Sequence, residues 1–393
     1  MIDAGIATSH RIFTSIRECA DSLKQLDITE LLLDVPYLTA VESGMGEYMD
    51  FRYLVFFEKD VPQGFMYFQL HPFEAKESLK ELRDSKCSDH LIKKALASRV
   101  TFKALVNGNL LLTGPFGFYF KRGFSGNHKA LIKKAMVDLF DREQEEKNVS
   151  VLFIKDLPES YIQGESLLLD REDFFSFKVQ PSMVLKIRPE WTGFPSYVAA
   201  LKSKYRVRIN RALERGRSLH SRNISLEGIE GEKTQFNRLL QNVLVESDFR
   251  IVNFDIHYIL ALKRHLGDSF HIKGYYHDGS LVGFMTSFIM RDKILAHFTG
   301  FEIALNKEFD LYLNMLLDLI EMAIELRVSA LDLSRTALEI KSSIGAEPQE
   351  MTNLIQHYHN GKQRLLPKVF SMLYQSETWV QRKPFREVSN GFS

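Results

Sequence analysis

The sequence predicts an α/β protein with mixed sheets, built from two related domains. Two apolar hairpins support this prediction: residues 53–57 with 64–68 in the first half, and 271–276 with 283–288 in the second. In each half an apolar segment carrying Thr-Gly, an amphipathic helix and a short apolar segment follow the hairpin. A length of 393 residues exceeds what one hydrophobic core usually supports. The repeat therefore predicts two α/β domains, with any site expected at or near their junction.

The elements of the first half follow in order. Apolar residues at helical spacing predict a helix over residues 12–33, before the first hairpin. Between that hairpin and the predicted strand carrying Thr113-Gly114, the first half is longer than the second. Residues 74–105 of this stretch are rich in Lys, Glu, Leu and Ala, which predicts an inserted helical segment. An amphipathic helix and a strand over 149–153 complete the half.

The second half is predicted to follow the same plan. In chain order it has a strand over 183–187, a helix over 196–215, a strand over 224–229, helices over 233–245 and 255–266, the second hairpin, a strand with Thr299-Gly300, a helix, and a strand over 328–332. Gly216 is suited to end the first of these helices as a left-handed cap. The predicted domain limits are 1–178 and 179–393.

Composition predicts a soluble, cytoplasmic protein. Cys19 and Cys87 are too few for a disulfide framework, which favours a reducing compartment. No apolar run approaches the roughly 18 residues of a membrane span, and the N-terminus does not resemble a signal peptide. The formal net charge of +1 identifies no class of partner, so only local charge clusters are informative.

The first candidate site is a basic helix. Residues 202–217 contain seven Lys or Arg residues and one Glu. At 100° per residue Lys204, Arg208, Arg211 and Arg215 fall on one stripe, beside an apolar stripe that packs on the sheet. Such a cationic ridge suits phosphates or another polyanion. The alternative is a solvated helix face with acidic neighbours.

The second candidate is a glycine-containing turn between a strand and a helix. Gly123 and Gly126, preceded by Arg122, let backbone N–H groups converge beside the positive end of the helix dipole. Phosphate binding is one interpretation; an ordinary flexible turn is the other, and the loose glycine spacing favours it. The equivalent segment of the second half, residues 302–309, contains no glycine.

The third candidate is the polar segment that follows the last predicted strand. Asp332 stands where the repeat has Phe153 in the first half, and polar substitution inside a repeat favours a site. The carboxyl end of a strand is also where open α/β sheets place ligands. We expect the chain to bend near Thr336, with Asp332 orienting Arg335 and with Lys341 reaching an anionic group. The alternative is that Asp332 and Arg335 only cap the turn.

The succession of hairpin, Thr-Gly strand, helix and strand resembles the central part of the GNAT acetyltransferase fold. Two such units in one chain resemble the Fem-type aminoacyl transferases and their bacterial, acetyltransferase-like relatives. The stretches that carry this resemblance are residues 203–216, 311–312, 332–336 and 341–346. The resemblance implies two tandem GNAT-like domains packed together.

The resemblance also implies an acyltransferase that moves an acyl or aminoacyl group onto an amine of a small molecule or a cell-envelope precursor. Its donor would be acyl-CoA or aminoacyl-tRNA. The strand bearing Thr299 and Gly300 would supply a backbone N–H to the oxyanion. Glu302 or Asp332 would accept the amine proton, directly or through water. Tyr312 would join Thr299, Gly300 and the 335–341 segment in binding donor or substrate.

A competing hypothesis is a non-catalytic GNAT-like protein that has lost its donor site. It would use the basic helix to bind RNA or another polyanion, although the near-neutral net charge argues mildly against a dedicated nucleic-acid binder. No metal is expected, because His357 and His359 have no third ligand evident in the sequence.

Overall fold

The predicted α/β class with mixed sheets is confirmed by the computed structural model, which describes residues 8–78, 99–159, 173–247, 251–373 and 378–386. Its strands, in chain order, are β1 Thr8–Phe13, β2 Asp50–Glu58, β3 Val61–Glu74, β4 Thr101–Asn107, β5 Phe118–Phe120, β6 Val151–Pro158, β7 Phe175–Lys178, β8 Ser182–Lys186, β9 His220–Asn223, β10 Phe270–His277, β11 Ser280–Ile289, β12 Lys293–Phe301, β13 Ala330–Asp332, β14 Glu347–Gln349 and β15 Met351–His357.

The α-helices of the described residues, in chain order, are α1 Ile16–Lys24, α2 Val35–Met45, α3 Ala75–Ser78, α4 Phe124–Asn127, α5 Lys129–Lys147, α6 Phe194–Ala200, α7 Ser203–Arg215, α8 Leu226–Gly231, α9 Lys233–Glu246, α10 Ile256–Leu266, α11 Ile303–Phe309, α12 Leu311–Glu325, α13 Leu338–Ser343, α14 Asn360–Gln363 and α15 Leu366–Leu373. Short 3₁₀ turns lie at Leu31–Leu33, Gly216–Ser218 and Gly267–Ser269. In the described ranges, none of these helices is long and apolar enough to cross a membrane.

The chain folds into two compact units. The first comprises Met1–Val179, Ser247–His265 and Glu350–Ser376, and the second comprises Gln180–Glu246, Leu266–Gln349 and Glu377–Ser393. Each unit is therefore assembled from three stretches of chain. The domain limits at 1–178 and 179–393 stay a prediction.

The two units contain sheets of the same strand order, which the sequence repeat led us to expect. The first sheet runs β1-β2-β3-β4-β6-β15-β7, and the second, read in the matching direction, runs β9-β10-β11-β12-β13-β8-β14. In each sheet one neighbouring pair is parallel, β4 with β6 and β12 with β13, and the other neighbours along the path are antiparallel. In these orders, β8 of the second sheet occupies the same position as β15 of the first.

Both predicted hairpins are confirmed, and their turns share one conformation. β2 pairs with β3 through a turn in which Lys59 and Asp60 both have positive φ. Asp278 and Gly279 have positive φ between β10 and β11. Two consecutive residues with positive φ match the right-handed twist of paired strands, as in type I′ turns.

Several predicted elements of the first half are corrected. Thr113-Gly114 lies in the loop between β4 and β5, not in a strand. Of the predicted helical insertion at 74–105, Ala75–Ser78 is helical, residues 79–98 lie outside the described residues, and residues 101–105 belong to β4. β4 is extended there because it pairs with both β3 and β6.

The helix predicted over 196–215 is two helices, α6 and α7. Residues 384–385 pair with the backbone between them and interrupt the helix. Lys202 donates its N–H to the carbonyl of Pro384 (2.8 Å), and Leu201 forms a β-bridge with Phe385. Gly216 does not cap α7 in the left-handed region, since its φ is −77°. It is required for packing instead: a Cβ there would lie 2.6 Å from the side-chain nitrogen of Asn314.

The strand predicted over 224–229 is also corrected. The strand at this point is β9, which ends at Asn223, and residues 226–231 form α8. The hydroxyl of Ser225 accepts the N–H of Gly228 (3.2 Å), which is an N-cap bond that starts a helix.

A buried ion pair joins α5 to β2 in the first unit. Arg52 donates from Nε to Glu143 Oε1 (2.5 Å) and from Nη2 to Oε2 (2.8 Å), while its Nη1 donates to the carbonyl of Phe51 (2.7 Å). Arg52 is 5% exposed and Glu143 is 0% exposed. A bidentate pair of this kind fixes the helix orientation, but removing one partner leaves an uncompensated buried charge.

We expect Glu143→Gln to lower the unfolding free energy by about 3–5 kcal/mol, because the Arg52 guanidinium loses its counter-ion inside the fold. The double variant Arg52→Met/Glu143→Leu should recover most of this loss, since it replaces both charges by apolar groups. Urea unfolding of the three proteins measures both effects. A single variant within about 1 kcal/mol of wild type would contradict this account of the pair.

Candidate active site

In the second unit, strands β12 and β13 pair only briefly and then part. Their parallel register runs from Lys293 with Ala330 to Leu295 with Asp332, whereas β12 continues along β11 to Phe301. Beyond Leu295 the described residues place no further strand against this edge of β12. The hydroxyl of Ser334 donates to the carbonyl of Ala296 (2.9 Å) where the strands separate. We call this unpaired edge of β12, from Ala296 to Phe301, the opening.

The direction of the backbone groups along β12 follows from its hydrogen bonds. The N–H of Phe298 donates to Thr286 Oγ1 (2.9 Å) and the N–H of Glu302 donates to the carbonyl of Val282 (2.9 Å), so both face β11. Strand residues alternate in direction. The N–H groups of Thr299 and Phe301 therefore face away from β11, into the opening. Of Thr299 and Gly300, Thr299 is therefore the residue whose N–H faces the opening, and its role as a backbone donor stays a prediction.

Gly300 has a packing role in this arrangement. A Cβ at this position would lie 2.4 Å from the Phe284 ring and 2.7 Å from the backbone nitrogen of Leu240. Glycine therefore allows α9 to lie directly on β12. The sequence assigned Gly300 to donor binding, which stays a prediction.

Asp332 lies where β12 and β13 separate, with one carboxylate oxygen engaged. Oδ1 accepts the hydroxyl of Ser182 (2.5 Å) and the N–H of Ser334 (2.8 Å). Oδ2 has no hydrogen-bond partner in the portions of the chain that the structure describes. Burial raises the pKa of Asp332, while these two bonds and the charges of Lys293 and Lys341 oppose the rise. An oriented carboxylate with a raised pKa suits a general base.

The bend that the sequence predicted near Thr336 is present. Ser334, Thr336 and Ala337 have φ values of 58°, 68° and 49°, in the left-handed region that non-glycine residues rarely adopt. Such residues cost about 1–3 kcal/mol each, so surrounding bonds must hold them. Arg335 donates from Nε to the carbonyl of Gln180 (2.8 Å), which attaches the turn to the residues before β8.

Lys341 holds this turn from inside, a role that the sequence did not indicate. Its Nζ donates to the carbonyls of Ser334 (3.3 Å) and Arg335 (2.5 Å), and the residue is 3% exposed. Burial lowers the pKa of Lys341 to about 7, against the attraction of Asp332. In this structure the ammonium thus faces carbonyls of the turn, and the expectation that it reaches an anionic group of donor or acceptor stays a prediction. Thr336, in contrast, is exposed at the outer side of the turn.

Glu302 and Tyr312 lie in the segment that follows β12. Glu302 Oε2 forms an ion pair with Arg238 of α9 (2.7 Å), so this second candidate base has a cationic partner. The N–H of Tyr312 donates to Asn306 Oδ1 (2.9 Å), and its ring lies 6.1 Å from that of Phe301. Because Asn306 takes an amide of the first turn of α12, fewer amides remain there for a phosphate.

The basic helix α7 presents its predicted ridge. Lys204, Arg208, Arg211 and Arg215 are exposed, while Ile209 and Ala212 on the opposite side are buried in the core. The hydrophobic effect thus orients the helix and leaves its cations in solvent. We call these four residues the cationic ridge.

Contacts of the cationic ridge place it beside the opening. Arg208 donates to the hydroxyl of Ser343 (3.1 Å) in α13, which follows β13. Arg215 pairs with Asp310 (3.1 Å), immediately before α12, which follows β12. Lys204 and Arg211 have no ion pair with any residue that the structure describes. The ridge therefore runs between the segments that follow the two parting strands, with two cations unpaired.

A segment near the C-terminus supports α6 and α13 and was not recognised in the sequence. Arg386 donates its N–H to the carbonyl of Ala200 (3.3 Å), and Arg382 pairs with Glu339 (3.1 Å). Phe385 packs so closely on Gly345 that a Cβ there would lie 2.2 Å from its ring. Gly345, at φ 102°, also needs glycine for its conformation. The alternation of aromatic and basic residues after 378 was the available signal.

The glycine-containing turn belongs to the first unit. Gly123 has φ 86° and precedes α4, so glycine is required there, whereas Gly126 has open space around it. Arg122 is exposed. Phosphate binding by these three residues stays a prediction. In the described ranges there is no cluster of three or more His, Cys, Asp or Glu residues that could hold a metal ion.

Comparison with solved structures places the fold. FemX superposes with a TM-score of 0.54 at 11% identity, and the match covers 92% of this chain and 100% of FemX. The chain has the fold of FemX. The resemblance to Fem-type proteins is thereby confirmed for the fold alone.

Two further structures have lower scores. One is the C-terminal domain of a putative lysylphosphatidylglycerol synthetase from Agrobacterium fabrum, with a TM-score of 0.48 at 10% identity, covering 91% of this chain and 98% of its own. The other is a tandem GNAT protein from the clavulanic acid biosynthesis pathway, with a TM-score of 0.48 at 11% identity, covering 90% and 99%. No protein-family model matches the sequence, and no curated protein matches it.

Within this FemX-like fold, the equivalent opening of the first unit is filled by the chain itself. After β4 the first unit inserts residues 108–117, which fold over the end of β6. Lys155 donates from Nζ to the carbonyl of Leu112 (2.5 Å), and Asp156 accepts the N–H of Gly114 (3.1 Å). The second unit has only a bulge at this point of β12. In the described residues both units have a strand segment with one neighbour here, β5 in the first and β12 beyond Leu295 in the second, but only the first has an inserted loop that bonds to β6 beside it.

The buried ammonium of Lys341 predicts a pH dependence of stability. An unfolded lysine titrates near pH 10.4, so between about pH 7 and 10 the unfolded chain holds a proton that folded Lys341 has lost. Unfolding free energy should therefore rise with pH in this window, by up to about 1.4 kcal/mol per pH unit. Lys341→Met should abolish this contribution, whereas Lys307→Met, at an exposed position, should retain it. Urea unfolding at several pH values gives the slopes, and parallel wild-type and Lys341→Met profiles would contradict the assignment.

Proposed function

We propose that this protein is an acyltransferase that moves an acyl or aminoacyl group from an activated ester or thioester onto an amine. The observation that carries the proposal is the opening between β12 and β13, with the N–H of Thr299 directed into it and Asp332 where the strands separate. At about 3.3 Å per strand residue, the two groups are on the order of 10 Å apart. This span accommodates a tetrahedral intermediate and one water.

The proposed reaction assigns a task to each group. The neutral amine attacks the donor carbonyl carbon, and the N–H of Thr299 stabilises the oxyanion that forms. The amine proton passes through a water to Asp332 Oδ2, because the Ser182 and Ser334 bonds of the described residues both go to Oδ1. When the carbonyl re-forms, the bond to the donor oxygen or sulfur breaks and the leaving group departs. Glu302 is the second candidate base, less favoured because Arg238 engages its carboxylate.

The cationic ridge supports a donor with several phosphates. α7 has 13 residues and is therefore about 20 Å long, enough to follow several phosphates of a polynucleotide. Since Asn306 already occupies an amide at the start of α12, we favour a ridge-bound aminoacyl-tRNA over acyl-CoA as donor. The acceptor is proposed to be an amine of a small molecule or a cell-envelope precursor. We place the reaction in the cytoplasm, on the low cysteine content.

The second candidate function is binding of RNA or another polyanion without catalysis. The exposed, unpaired Lys204 and Arg211 favour it, because they require only a phosphate backbone. The two functions differ in one measurement: a binder holds deacylated tRNA and leaves aminoacyl-tRNA intact in the presence of amines. An acyltransferase consumes the aminoacyl ester.

Replacing the proposed base tests the catalytic function. Asp332→Asn keeps an oxygen for the Ser182 and Ser334 bonds but cannot accept the amine proton. We expect transfer from radiolabelled aminoacyl-tRNA to a pool of amines to fall by about 10²–10⁴-fold, with donor binding retained. In wild type, transfer should decline as pH falls through the raised pKa of Asp332, because the protonated carboxyl cannot act as base.

Glu302→Gln serves as the matched comparison in the same assay. If this variant loses transfer and Asp332→Asn does not, the base is Glu302. If neither changes a measurable wild-type rate, carboxylate catalysis at this site is refuted.

Neutralising the unpaired cations tests the ridge. We expect Lys204→Gln/Arg211→Gln to weaken binding of a fluorescent tRNA and to reduce the slope of log affinity against log salt by about 1.4, at about 0.7 per lost contact to a single strand. Lys186→Gln/Arg327→Gln is the control, because it removes equal charge from the opposite end of β13. Equal losses of tRNA affinity in the two double variants would show that tRNA is held by general electrostatic attraction and not by the ridge.

A further inference from the structure

Thr286 lies at the one place where the β11–β12 register shifts. The shift falls between Met285, opposite Thr299, and Ser287, opposite Ala296. Thr286 is 1% exposed. Its hydroxyl accepts the N–H of Phe298 (2.9 Å), donates to the carbonyl of the same residue (3.1 Å) and lies 3.2 Å from Nδ1 of His297. The Thr286 side chain therefore bonds both the N–H and the carbonyl of Phe298, which the backbone of the neighbouring strand would otherwise bond.

The backbone groups of Ala296 and Phe298 point to opposite edges of β12, which reveals a bulge in this strand. The carbonyl of Ala296 accepts from Ser334 on the β13 side, whereas Phe298 is bonded to Thr286 on the β11 side. In a regular strand, residues two apart face the same way. The alternation is therefore reversed between them, as in a β-bulge with one extra residue.

This reversal decides where the Thr299 amide points. Without the bulge, the backbone groups of Phe298 and Gly300 would point to the β13 side of the strand, as those of Ala296 do. The N–H of Thr299 would then point toward β11, inside the sheet. With the bulge, Thr299 faces the opening instead. The backbone donor of the proposed reaction thus depends on one extra residue in β12, and that residue is held by the Thr286 hydroxyl.

The first unit lacks this device. In its sheet Met66 lies opposite Phe118 as Met285 lies opposite Thr299, which makes Tyr67 the counterpart of Thr286. The Tyr67 hydroxyl accepts from Gln69 Nε2 (2.7 Å), and residues 108–117 are inserted where the second unit has its bulge. The hydroxyl-held bulge therefore occurs in the second unit, at the point where the first unit has its inserted loop.

We propose that Thr286 is a positioning residue, whose hydroxyl holds the β12 bulge and so directs the Thr299 N–H into the opening. The inference rests on the proposed acyl transfer for its kinetic consequence, but its structural consequence can be measured without turnover. Valine has the shape of threonine and neither bond, whereas serine keeps the hydroxyl. These two substitutions separate hydrogen bonding from packing.

The test compares Thr286→Val, Thr286→Ser and wild type, with Thr352→Val as a control at another buried strand threonine. In Thr286→Val, hydrogen exchange of the Phe298 amide, followed by NMR, should speed up by about tenfold or more, with a shift of the Thr299 resonance. With aminoacyl-tRNA as donor, kcat should fall by about 10–100-fold while tRNA affinity stays within about twofold. Thr286→Ser and Thr352→Val should match wild type in both measurements.

Wild-type exchange at Phe298 in Thr286→Val, or a serine variant as impaired as the valine variant, would overturn the proposal. If Thr286→Val does not fold, Thr286→Cys, of similar size and weak in hydrogen bonding, gives the same comparison. A wild-type protein that transfers nothing refutes the proposed function, while the exchange measurement still decides whether Thr286 holds the bulge.

Discussion

The candidate site depends on one constraint: β12 is paired with β11 along its length but with β13 only as far as Leu295. A strand that loses its neighbour exposes N–H and carbonyl groups that need partners, at about 1–3 kcal/mol for each one left buried and unsatisfied. In the second unit these groups line an opening. In the first unit residues 108–117 fill the equivalent place, held by Lys155 and Asp156. The same strand order thus occurs once with an inserted loop beside the parting strands and once without it.

In the second unit, a strained turn after β13 lies beside the opening. Three non-glycine residues with positive φ follow β13, and the Lys341 ammonium bonds two carbonyls inside this bend. A buried lysine is costly in its charged form, as the lowered pKa reflects. Its retention is reasonable where it fixes both the turn and, through the N–H of Ser334, the orientation of Asp332. Strain and a buried charge at one location are typical of functional sites.

Local pattern was sufficient to predict the hairpins, the ridge on α7, the Thr299-Gly300 strand and the Asp332 segment, because each depends on residues close in sequence. It was insufficient where distant segments decide the outcome. Thr113-Gly114 lies in a loop since that loop bonds to Lys155 and Asp156, and α6 separates from α7 because Leu201 pairs with Phe385. The inward direction of Lys341 likewise depends on a turn whose dihedral angles no residue type indicated.

The hydrogen bonds of the ridge connect the two segments on which the proposed chemistry depends. Arg208 bonds to Ser343 in the helix that contains Lys341, and Arg215 pairs with Asp310 at the start of α12. A polyanion that draws Arg208 or Arg215 away from these partners would act directly on the borders of the opening. Lys204 and Arg211 have no such partner among the described residues, so phosphates can bind them without breaking these contacts. The ridge therefore contains two cations that structure has already engaged and two that remain for a ligand.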